Sequence, residues 1–295
     1  MTAYVSVDIF GGLGNQMFQY AAGKALALNL DAELRLCLEL LENDAARCYS
    51  LDIFPNITEA LLRPPEPEAG LLDAFLPAKR REKNLRRRAQ AWRKSGNVAK
   101  EPHFHYWDGF KALRPGAHLQ GYWQSPKYFS SCVRAIRRSF AFREFVGDAD
   151  LAMERRMLGG NSVSVHVRRG DYTDPAVLAV HGLCGAPYYA SAVSLMEKLL
   201  PDCTFFVFSD DPGAARELFH DSTDAVFLEG GTAERDMHLM QCCKHHIIAN
   251  SSFSWWGAWL GEAEGFVVAP RNWFARETMI NRFVLDLFPE DWILL

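Results

Sequence analysis

The residues best suited to chemistry follow a predicted strand in the second half of the chain. Residues 163–167 alternate between valine and polar side chains, the period of two that indicates a strand with one apolar face. His166 and Arg168 share the polar face, and Arg169 and Asp171 follow at a glycine turn. A guanidinium group offers a planar fork of donors that suits phosphate or carboxylate oxygens. Two arginines alone would also fit an ion-paired strand end, so their function depends on the motifs that accompany them.

Polar residues also follow two other predicted strands, at 204–208 and 246–249. In a parallel α/β sheet, ligands bind beyond the carboxyl ends of the strands. There the arginines can neutralise a diphosphate, and hydroxyl and N–H groups at a helix start can receive a phosphate. A carboxylate beside them can accept from ribose hydroxyls or a guanine N–H edge. These groups together predict a nucleoside-diphosphate pocket, and the residues that follow the two strands are Ser209, Asp210, Asp211, Asn250, Ser251, Ser252, Phe253 and Ser254.

Neither of two candidate metal motifs is convincing. Asp210 and Asp211 are adjacent, so their carboxylates diverge at a strand end, and two nearby arginines already offset phosphate charge. Cys242-Cys243 is followed by His245-His246, but neighbouring residues in a helix or strand point in different directions. The sequence therefore predicts no metal site.

A glycine-rich turn lies near the N-terminus, at residues 11–16. It lacks the third glycine of a dinucleotide fingerprint and the Gly-Lys-Ser/Thr ending of a P-loop. Gly12 and Gly14 would let the backbone approach a ligand closely, and Asn15 and Gln16 would stand at a helix N-terminus, which favours anions. A purely structural turn is the alternative.

The elements that would position these groups form two α/β regions. Residues 4–38 alternate strand, turn, helix and strand, the opening unit of a parallel sheet. A regular alternation resumes at 163 and continues to about 269. Between them, the proline-rich stretch 55–105 carries no sheet pattern, and 116–129 predicts a short strand with an aromatic loop suited to core packing or to sugar rings. Helices are expected at about 129–143, 149–158, 187–199, 213–219, 234–244 and 252–261.

Residues 79–94 hold nine basic side chains against one acid, Glu82. A solvated surface helix, an anionic membrane surface and an acidic lipid-linked acceptor would each explain this run. Nucleic acid is disfavoured because the formal net charge of the whole chain is −4.

Bulk composition describes an ordinary soluble protein with room for two domains. The chain has 295 residues, of which 49% are hydrophobic and 23% charged, and no apolar stretch approaches eighteen residues. The first residues lack the basic and apolar regions of a signal peptide, so a cytoplasmic location is expected. The seven cysteines, an odd number, are expected to be reduced thiols.

Four separated motifs resemble one known family. They are Gly11-Gly-Leu-Gly-Asn-Gln-Met-Phe-Gln-Tyr20, His166-Val-Arg-Arg-Gly-Asp-Tyr172, Phe208-Ser-Asp-Asp211 and Ala249-Asn-Ser-Ser-Phe-Ser-Trp-Trp-Gly-Ala-Trp259. Together they resemble the bacterial α-1,2-fucosyltransferases of glycosyltransferase family 11, in the family's order and over most of the chain. The region 55–130 carries no strong motif.

This resemblance implies a GT-B-type α/β fold, with two Rossmann-like domains facing a central cleft. We place a mainly acceptor-side domain at 1–155 and a GDP-fucose-binding domain at 156–295. The implied activity is inverting, metal-independent transfer of L-fucose from GDP-fucose to the 2-hydroxyl of a galactose residue, without a cofactor. Surface polysaccharide synthesis, such as that of O-antigen, is the expected setting, with peripheral contact of residues 79–94 at the inner membrane face.

The resemblance also implies roles for individual residues. Arg168 resembles the phosphate-binding arginine, flanked by His166 and Asp171, and Asn15 resembles an asparagine near the pyrophosphate and fucose. These four are the catalytic candidates. Gly12, Gly14, Asn15, His166, Arg168, Arg169 and the residues that follow the other two strands form the expected donor-binding set. The base that takes the acceptor proton stays open among Asp171, Asp8 and His166.

Two alternatives from other classes have specific support in the sequence. The glycine turn after the first strand would suit a nicotinamide-dependent Rossmann oxidoreductase. The basic run would suit a non-catalytic protein that binds sugar nucleotides or a membrane surface.

Overall fold

The computed structural model describes residues 3–42, 44, 46–62, 97–170, 175–219, 225–261, 264–275 and 283–295. It divides the chain into two compact units. The first unit contains Met1–Asp52 with Asn56–Ser139, and the second contains Ile53–Pro55 with Phe140–Leu295. Each has its own parallel sheet.

The first unit contains a five-stranded sheet in the order β3-β2-β1-β5-β4. All of its pairings are parallel. The strands are β1 (Tyr4–Asp8), β2 (Glu33–Cys37), β3 (Ala60–Leu61), β4 (Asn97–Lys100) and β5 (Ala117–Gln120). Its helices are α1 (Leu13–Asn29), α2 (Glu39–Glu42) and α3 (Val133–Ser139), with short 3-10 turns at Leu51–Ile53, Asp108–Ala112, Pro126–Tyr128 and Ser130–Cys132.

Helix α1 forms because small and apolar residues recur along it, and most of them are buried. Met17, Ala21 and Ala25 are fully buried with the β1 residues Val5 and Val7. Gly23 allows the helix to approach the sheet, because a Cβ there would lie 2.9 Å from Leu34 and 3.0 Å from Val7. The glycine turn between β1 and α1 is thus held by packing on both sides.

The second unit contains a six-stranded parallel sheet in the order β11-β10-β9-β6-β7-β8. The strands are β6 (Ser162–Val167), β7 (Thr204–Ser209), β8 (Ala225–Leu228), β9 (His245–Ile247), β10 (Val267–Ala269) and β11 (Ile293–Leu294). The helices are α4 (Asp148–Leu158), α5 (Pro175–His181), α6 (Ala186–Leu199), α7 (Pro212–Leu218), α8 (Ala233–Cys242) and α9 (Ser252–Leu260), with a 3-10 turn at Leu285–Leu287.

Apolar clusters cover both faces of this second sheet, because alternate residues of β6 and β7 point to opposite sides. Val165 and Val207 pack with Tyr189 and Met196 of α6 on one side. On the other, Phe206 and Phe208 pack with Met157 of α4 and with Leu239 and Met240 of α8. Because both faces are covered, the ends of the strands are the places where a polar ligand can reach this sheet.

The predicted parallel α/β architecture is confirmed in both units. The stretch 55–105, expected to lack sheet, instead contributes β3 and β4 at the two edges of the first sheet, and residues 63–96 between them lie outside the described part. Helix α3 is shorter than the predicted 129–143, since a 3-10 turn occupies Ser130–Cys132. Strand β11 and helix α5 were not predicted.

The division between units lies at 139/140, earlier than the predicted 155/156. Helix α4 explains the difference, because Met157 packs in the core of the second unit. Its Asp150 carboxylate also lies 2.7 Å from Nε of Arg235 in α8. A helix before the first strand of a sheet can belong to that sheet's unit, and chain order alone does not reveal this.

All seven cysteines are free thiols, as expected for reduced cysteines. Among the described helices, none alone is long and apolar enough to cross a membrane; α5 and α6 pass a length-and-composition test only as a pair bent by 49°.

Candidate active site

Strands β9, β6 and β7 are neighbours, so the three predicted polar groups meet at one edge of the second sheet. Arg168 follows the last residue of β6, and its Nη1 lies 2.7 Å from Oδ2 of Asp210, just after β7. About a quarter of each side chain is exposed to solvent. The pair therefore fixes the guanidinium of Arg168 at the strand end while part of it faces solvent.

Asp210 holds the backbone as well as the arginine. Its Oδ1 accepts from the Arg169 backbone N–H at 2.8 Å, and a Cβ on Gly170 would clash with its other oxygen. A carboxylate at this strand end was predicted to accept from ribose or guanine; both Asp210 oxygens instead contact residues that follow β6. This carboxylate is a positioning group for Arg168 and Arg169.

Arg169 points its side chain back into the protein. Its Nη1 donates to the carbonyl oxygens of Arg168, at 3.0 Å, and of Cys184, at 3.1 Å. The Arg169 guanidinium therefore stabilises the loop before α6. Of the two adjacent arginines, Arg168 is the one that forms the ion pair with Asp210 among the described residues.

Ser209 and Asp211 build the turn after β7. The Ser209 hydroxyl donates to the Val167 carbonyl oxygen at 2.8 Å and accepts from the Asp211 N–H at 3.0 Å. Asp211 caps α7 by accepting from the Ala214 N–H at 3.0 Å. The two side chains hold β6 and β7 in register at their carboxyl ends.

Asn250 ties together three segments beside the strand ends. Its Nδ2 donates to the carbonyl oxygens of His181, at 2.8 Å, and of Trp273, at 3.3 Å. Its Oδ1 accepts from the Cys184 thiol at 3.4 Å, and burial raises the pKa of that thiol to about 11. Asn250 also lines a cavity of about 300 Å³ with Cys184 and Tyr188.

The serine motif forms the start of α9. Ser251 is the N-cap residue, without a hydrogen bond from its side chain to the helix. Ser254 is buried and donates to the Ser251 carbonyl oxygen at 3.2 Å, so its hydroxyl is occupied within the helix. Ser252 and Phe253 are the first helical residues. Trp255 and Trp256 are fully buried.

His166 is buried on β6 among apolar side chains, with its ring 5.6 Å from that of Phe253. Its Nδ1 has no hydrogen-bond partner among the residues that the structure describes. Burial, and then the positive charge of Arg168, lowers the pKa of His166 to about 3. Such an imidazole is a weak base near neutral pH, and a packing role at the strand end fits it better.

Two predicted features lie outside the described residues. They are Asp171, one of the candidates for the base, and the basic run 79–94.

The glycine turn of the first unit orients two amides. Gly11 has φ +75°, and a Cβ on it would lie 2.9 Å from Nδ2 of Asn15. The Asn15 Oδ1 accepts from Nε2 of Gln124 at 2.8 Å. Gln16 is buried and donates to the carbonyl oxygens of Gly11 and Cys48. Gly12 is the N-cap of α1, and Gly14 is buried in its first turn.

A buried polar network stands at the end of β1. Asp8 has no solvent exposure, and its two oxygens lie 3.1 Å from His118 Nε2 and 3.1 Å from Gln120 Nε2. His118 Nδ1 lies 2.9 Å from the Ser6 hydroxyl. His118 and Gln120 were not predicted as site residues, although both alternate with apolar residues in β5 as Ser6 and Asp8 do in β1.

Glu101, also overlooked, follows β4 and holds a strained turn. Its two oxygens accept from the backbone N–H groups of Tyr122, at 2.7 Å, and Trp123, at 3.1 Å. Trp123 has φ +56°, a left-handed conformation that costs energy for a bulky residue. Burial outweighs these hydrogen bonds and raises the pKa of Glu101 to about 7. Nothing in the local sequence connects residue 101 with this turn.

A family model identifies the chain. The model of glycosyl transferase family 11 matches residues 91–295. The chain belongs to glycosyl transferase family 11. This assignment favours a glycosyltransferase over the nicotinamide-dependent and non-catalytic alternatives.

Two curated relatives from Escherichia coli support the same assignment. The chain is 35% identical to an alpha-1,2-colitosyltransferase over 98% of both sequences. It is 31% identical to the O-antigen biosynthesis glycosyltransferase WbnK, over 90% of this chain and 93% of that one.

The fold matches that of a solved transferase. The crystal structure of fucosyltransferase NodZ from Bradyrhizobium aligns with a TM-score of 0.50 at 15% identity, over 87% of this chain and 92% of NodZ. With two parallel α/β sheets present, the prediction of a GT-B-type α/β fold is confirmed.

Proposed function

We propose that this glycosyltransferase transfers L-fucose from GDP-fucose to the 2-hydroxyl of a galactose residue in a glycan, with inversion at the anomeric carbon. The observation that carries the proposal is the pairing of Arg168 with Asp210 at 2.7 Å, beyond the carboxyl ends of β6 and β7. A held, partly exposed guanidinium at this edge suits the diphosphate of a sugar nucleotide. The α-1,2 linkage in the name of the 35% identical relative supports the choice of hydroxyl.

Arg168 would act mainly on the leaving group. As fucose departs, its ring takes on oxocarbenium character and negative charge grows on the β-phosphate of GDP. A guanidinium already oriented by Asp210 stabilises that charge more in the transition state than in the ground state. The cavity beside Asn250 offers room for the nucleoside part of the donor.

Inversion by a single displacement requires a base for the acceptor proton. Burial and the low pKa of His166 argue against that residue. Asp8 has both oxygens in contact with side chains, His118 and Gln120, and so would need to exchange a partner to act. We therefore favour Asp171 as the base, and expect Asp171→Asn to abolish transfer while GDP still binds.

No divalent metal is proposed for the donor, because Arg168 can supply the positive charge that a metal would otherwise provide. We propose that the enzyme works in surface polysaccharide assembly in the cytoplasm, with residues 79–94 contacting the inner membrane face. The relative named for O-antigen biosynthesis supports this setting.

The decisive experiment is a GDP-release assay with GDP-fucose and a panel of β1-3- and β1-4-linked galactosides, followed by NMR assignment of the product linkage. We expect GDP release only in the presence of an acceptor, an α-1,2 product, and no gain from added Mg²⁺ or Mn²⁺. A product linked elsewhere, or no transfer to any galactoside, would reject the proposal.

A second candidate donor is the corresponding colitose nucleotide, favoured by the 35% identical colitosyltransferase. Colitose lacks the 3-hydroxyl of fucose, so the two donors differ by one hydrogen-bonding group. A site built to pair with that hydroxyl would reject the deoxy sugar strongly. Measuring kcat/KM for both donors on the same acceptor decides between them, and a higher value for the colitose donor would replace fucose in the proposal.

A further inference from the structure

Three potential metal ligands from two helices meet in the second unit. Glu154 lies on α4, and His238 and Cys242 lie one turn apart on α8. One donor atom from each lies within 4.8 Å of the other two. Each helix ends shortly before the strand that follows it in the chain. The cluster therefore lies toward the amino ends of the strands, away from the proposed donor site at their carboxyl ends.

The potential ligand atoms of the three side chains make few polar interactions with the described part of the fold. Within the described ranges, the Glu154 carboxylate and the His238 ring nitrogens form no hydrogen bond or ion pair. Cys242 Sγ lies 3.1 Å from the His238 carbonyl oxygen, a weak contact within the helix. A carboxylate, an imidazole and a thiol in this state can take a cation without giving up a stronger interaction.

The surrounding structure holds the two helices in place. The ion pair of Asp150 with Arg235 spans them at 2.7 Å, and Met157 packs with Leu239 and Cys243 beneath the cluster. The His238 ring stacks on Phe145 with centroids 4.0 Å apart. Two of the three ligands therefore sit on one rigid helix, and the third is fixed against it.

The donor set indicates the ion. Zn²⁺ binds imidazole nitrogen, thiolate sulfur and carboxylate oxygen in tetrahedral sites with bonds of about 2.0–2.3 Å. Ligand atoms in such a site are about 3.3–3.8 Å apart, so side-chain rotations that close the cluster by about 1 Å suffice.

We propose that Glu154, His238 and Cys242 form a zinc site that ties α4 to α8, with a water molecule as the fourth ligand. On binding, the Cys242 S–H bond breaks, its proton leaves to solvent and a Zn–S bond forms. The ion would be structural, and the proposal does not depend on which sugar the enzyme transfers.

The test uses the full-length protein, stripped of metal with a chelator and freed of any purification tag. Zn²⁺ binding is measured by titration calorimetry, and Co²⁺ is used as a spectroscopic probe of thiolate ligation. Cys242→Ser removes the thiolate at nearly constant shape, and Glu154→Gln is a second variant that leaves α8 unchanged. Cys48→Ser, at an exposed cysteine of the first unit, is the matched control.

We expect one Zn²⁺ per chain, a higher melting temperature with Zn²⁺, and a thiolate-to-cobalt charge-transfer band. Cys242→Ser should abolish the band and, like Glu154→Gln, weaken Zn²⁺ binding at least about tenfold, whereas Cys48→Ser should change neither. Absence of stoichiometric binding, or binding that survives both cluster variants, would overturn the proposal.

Discussion

At the scale of single residues, the two adjacent arginines have different environments. Arg168 pairs with Asp210 and keeps about a quarter of its side chain exposed, while Arg169 donates to two carbonyl oxygens of the protein. Both occupy the same motif, yet within the described part of the chain only Arg168 pairs with a carboxylate at the strand end. We infer that Arg168 binds the diphosphate of the ligand, whereas Arg169 stabilises the loop before α6.

Asp210→Asn should separate turnover from donor binding. The variant loses the charge-assisted hydrogen bond that orients Arg168, so we expect kcat to fall about tenfold or more. GDP affinity should stay unchanged or improve, because a negative charge near the diphosphate is removed. Steady-state kinetics and GDP calorimetry measure the two effects.

The control for that variant is Glu229→Gln, which breaks the exposed ion pair with Arg216 elsewhere in the same unit. It should leave kcat within about twofold, since exposed pairs contribute little. Parallel losses of kcat and GDP affinity in Asp210→Asn would show instead that Asp210 only maintains the fold.

The sequence predicted which residue types gather at the strand ends but not which groups each side chain contacts. Alternation and motif order led to Arg168, Asp210 and Asn250, and the structure places all three beside neighbouring strands. The hydrogen bonds that Asn250 donates to carbonyl oxygens of distant loops could not be predicted, because its partners are 69 and 23 residues away along the chain.

At the scale of elements, the turn between β1 and α1 depends on a left-handed glycine. Gly11→Ala should destabilise the protein by about 1–2 kcal/mol from backbone strain and also displace Asn15, whose Nδ2 is 2.9 Å from the new Cβ. Since Asn15 is a candidate catalytic residue, transfer should fall by more than the loss of folded protein explains.

Gly116→Ala is the control that separates strain from contact. Gly116 has φ +89°, but a Cβ there meets nothing within 4 Å. The two variants should unfold at similar urea concentrations, with transfer reduced only in Gly11→Ala. Equal specific activity of the two folded variants would remove Asn15 from the mechanism.

Asn250→Ala tests the element that organises the loops around the strand ends. The variant leaves the half-buried carbonyl oxygen of His181 and the buried one of Trp273 without their donor, and we expect a loss of about 2–3 kcal/mol in the free energy of unfolding. Asn161→Ala removes a hydrogen bond to the Pro201 carbonyl oxygen at an exposed position and should cost about 1 kcal/mol or less. Urea denaturation compares them, and equal losses would contradict the role given to Asn250.

Elements of strong periodicity could be predicted to within a few residues, and those lacking it could not. Strands β3 and β11 have only two residues each, too few for an alternation to be recognised. The pairing of β1 with β5, which brings Asp8 to His118, is a long-range contact that neither strand's own sequence specifies.

At the scale of the whole molecule, the second unit should lose stability in acid. Burial lowers the pKa of His166 and of His246 to about 3, well below the ordinary 6.5. Such groups stabilise the fold above pH 6.5, and that contribution is lost as pH falls toward 3, at about 1.4 kcal/mol per pH unit for each histidine. Asp236, whose pKa burial raises to about 6, opposes this loss within the unit, whereas burial also lowers the pKa of His238 and of His245.

Urea unfolding between pH 7 and 4, followed by tryptophan fluorescence, measures this effect. His246→Asn, which keeps a polar partner for Ser164, should make the free energy of unfolding less dependent on pH. The same dependence on pH in His246→Asn and in the parent would contradict the burial of a neutral His246.

The division into two α/β units was predictable because the strand and helix pattern restarts after residue 160. Its boundary was not, since helix α4 joins the second unit through contacts such as Asp150 with Arg235, 85 residues apart. The order of the strands is likewise a property of the folded chain, and it is this order that unites three polar motifs at one edge.

The most direct test of the account is fucose transfer by Arg168→Lys beside the parent enzyme. Lysine keeps the charge but loses the planar fork, so we predict a fall in kcat of about 100-fold. The matched control Arg216→Lys, in an exposed ion pair, should stay within about twofold of the parent. A kcat for Arg168→Lys close to that of the parent would contradict the assignment of Arg168 to the leaving diphosphate.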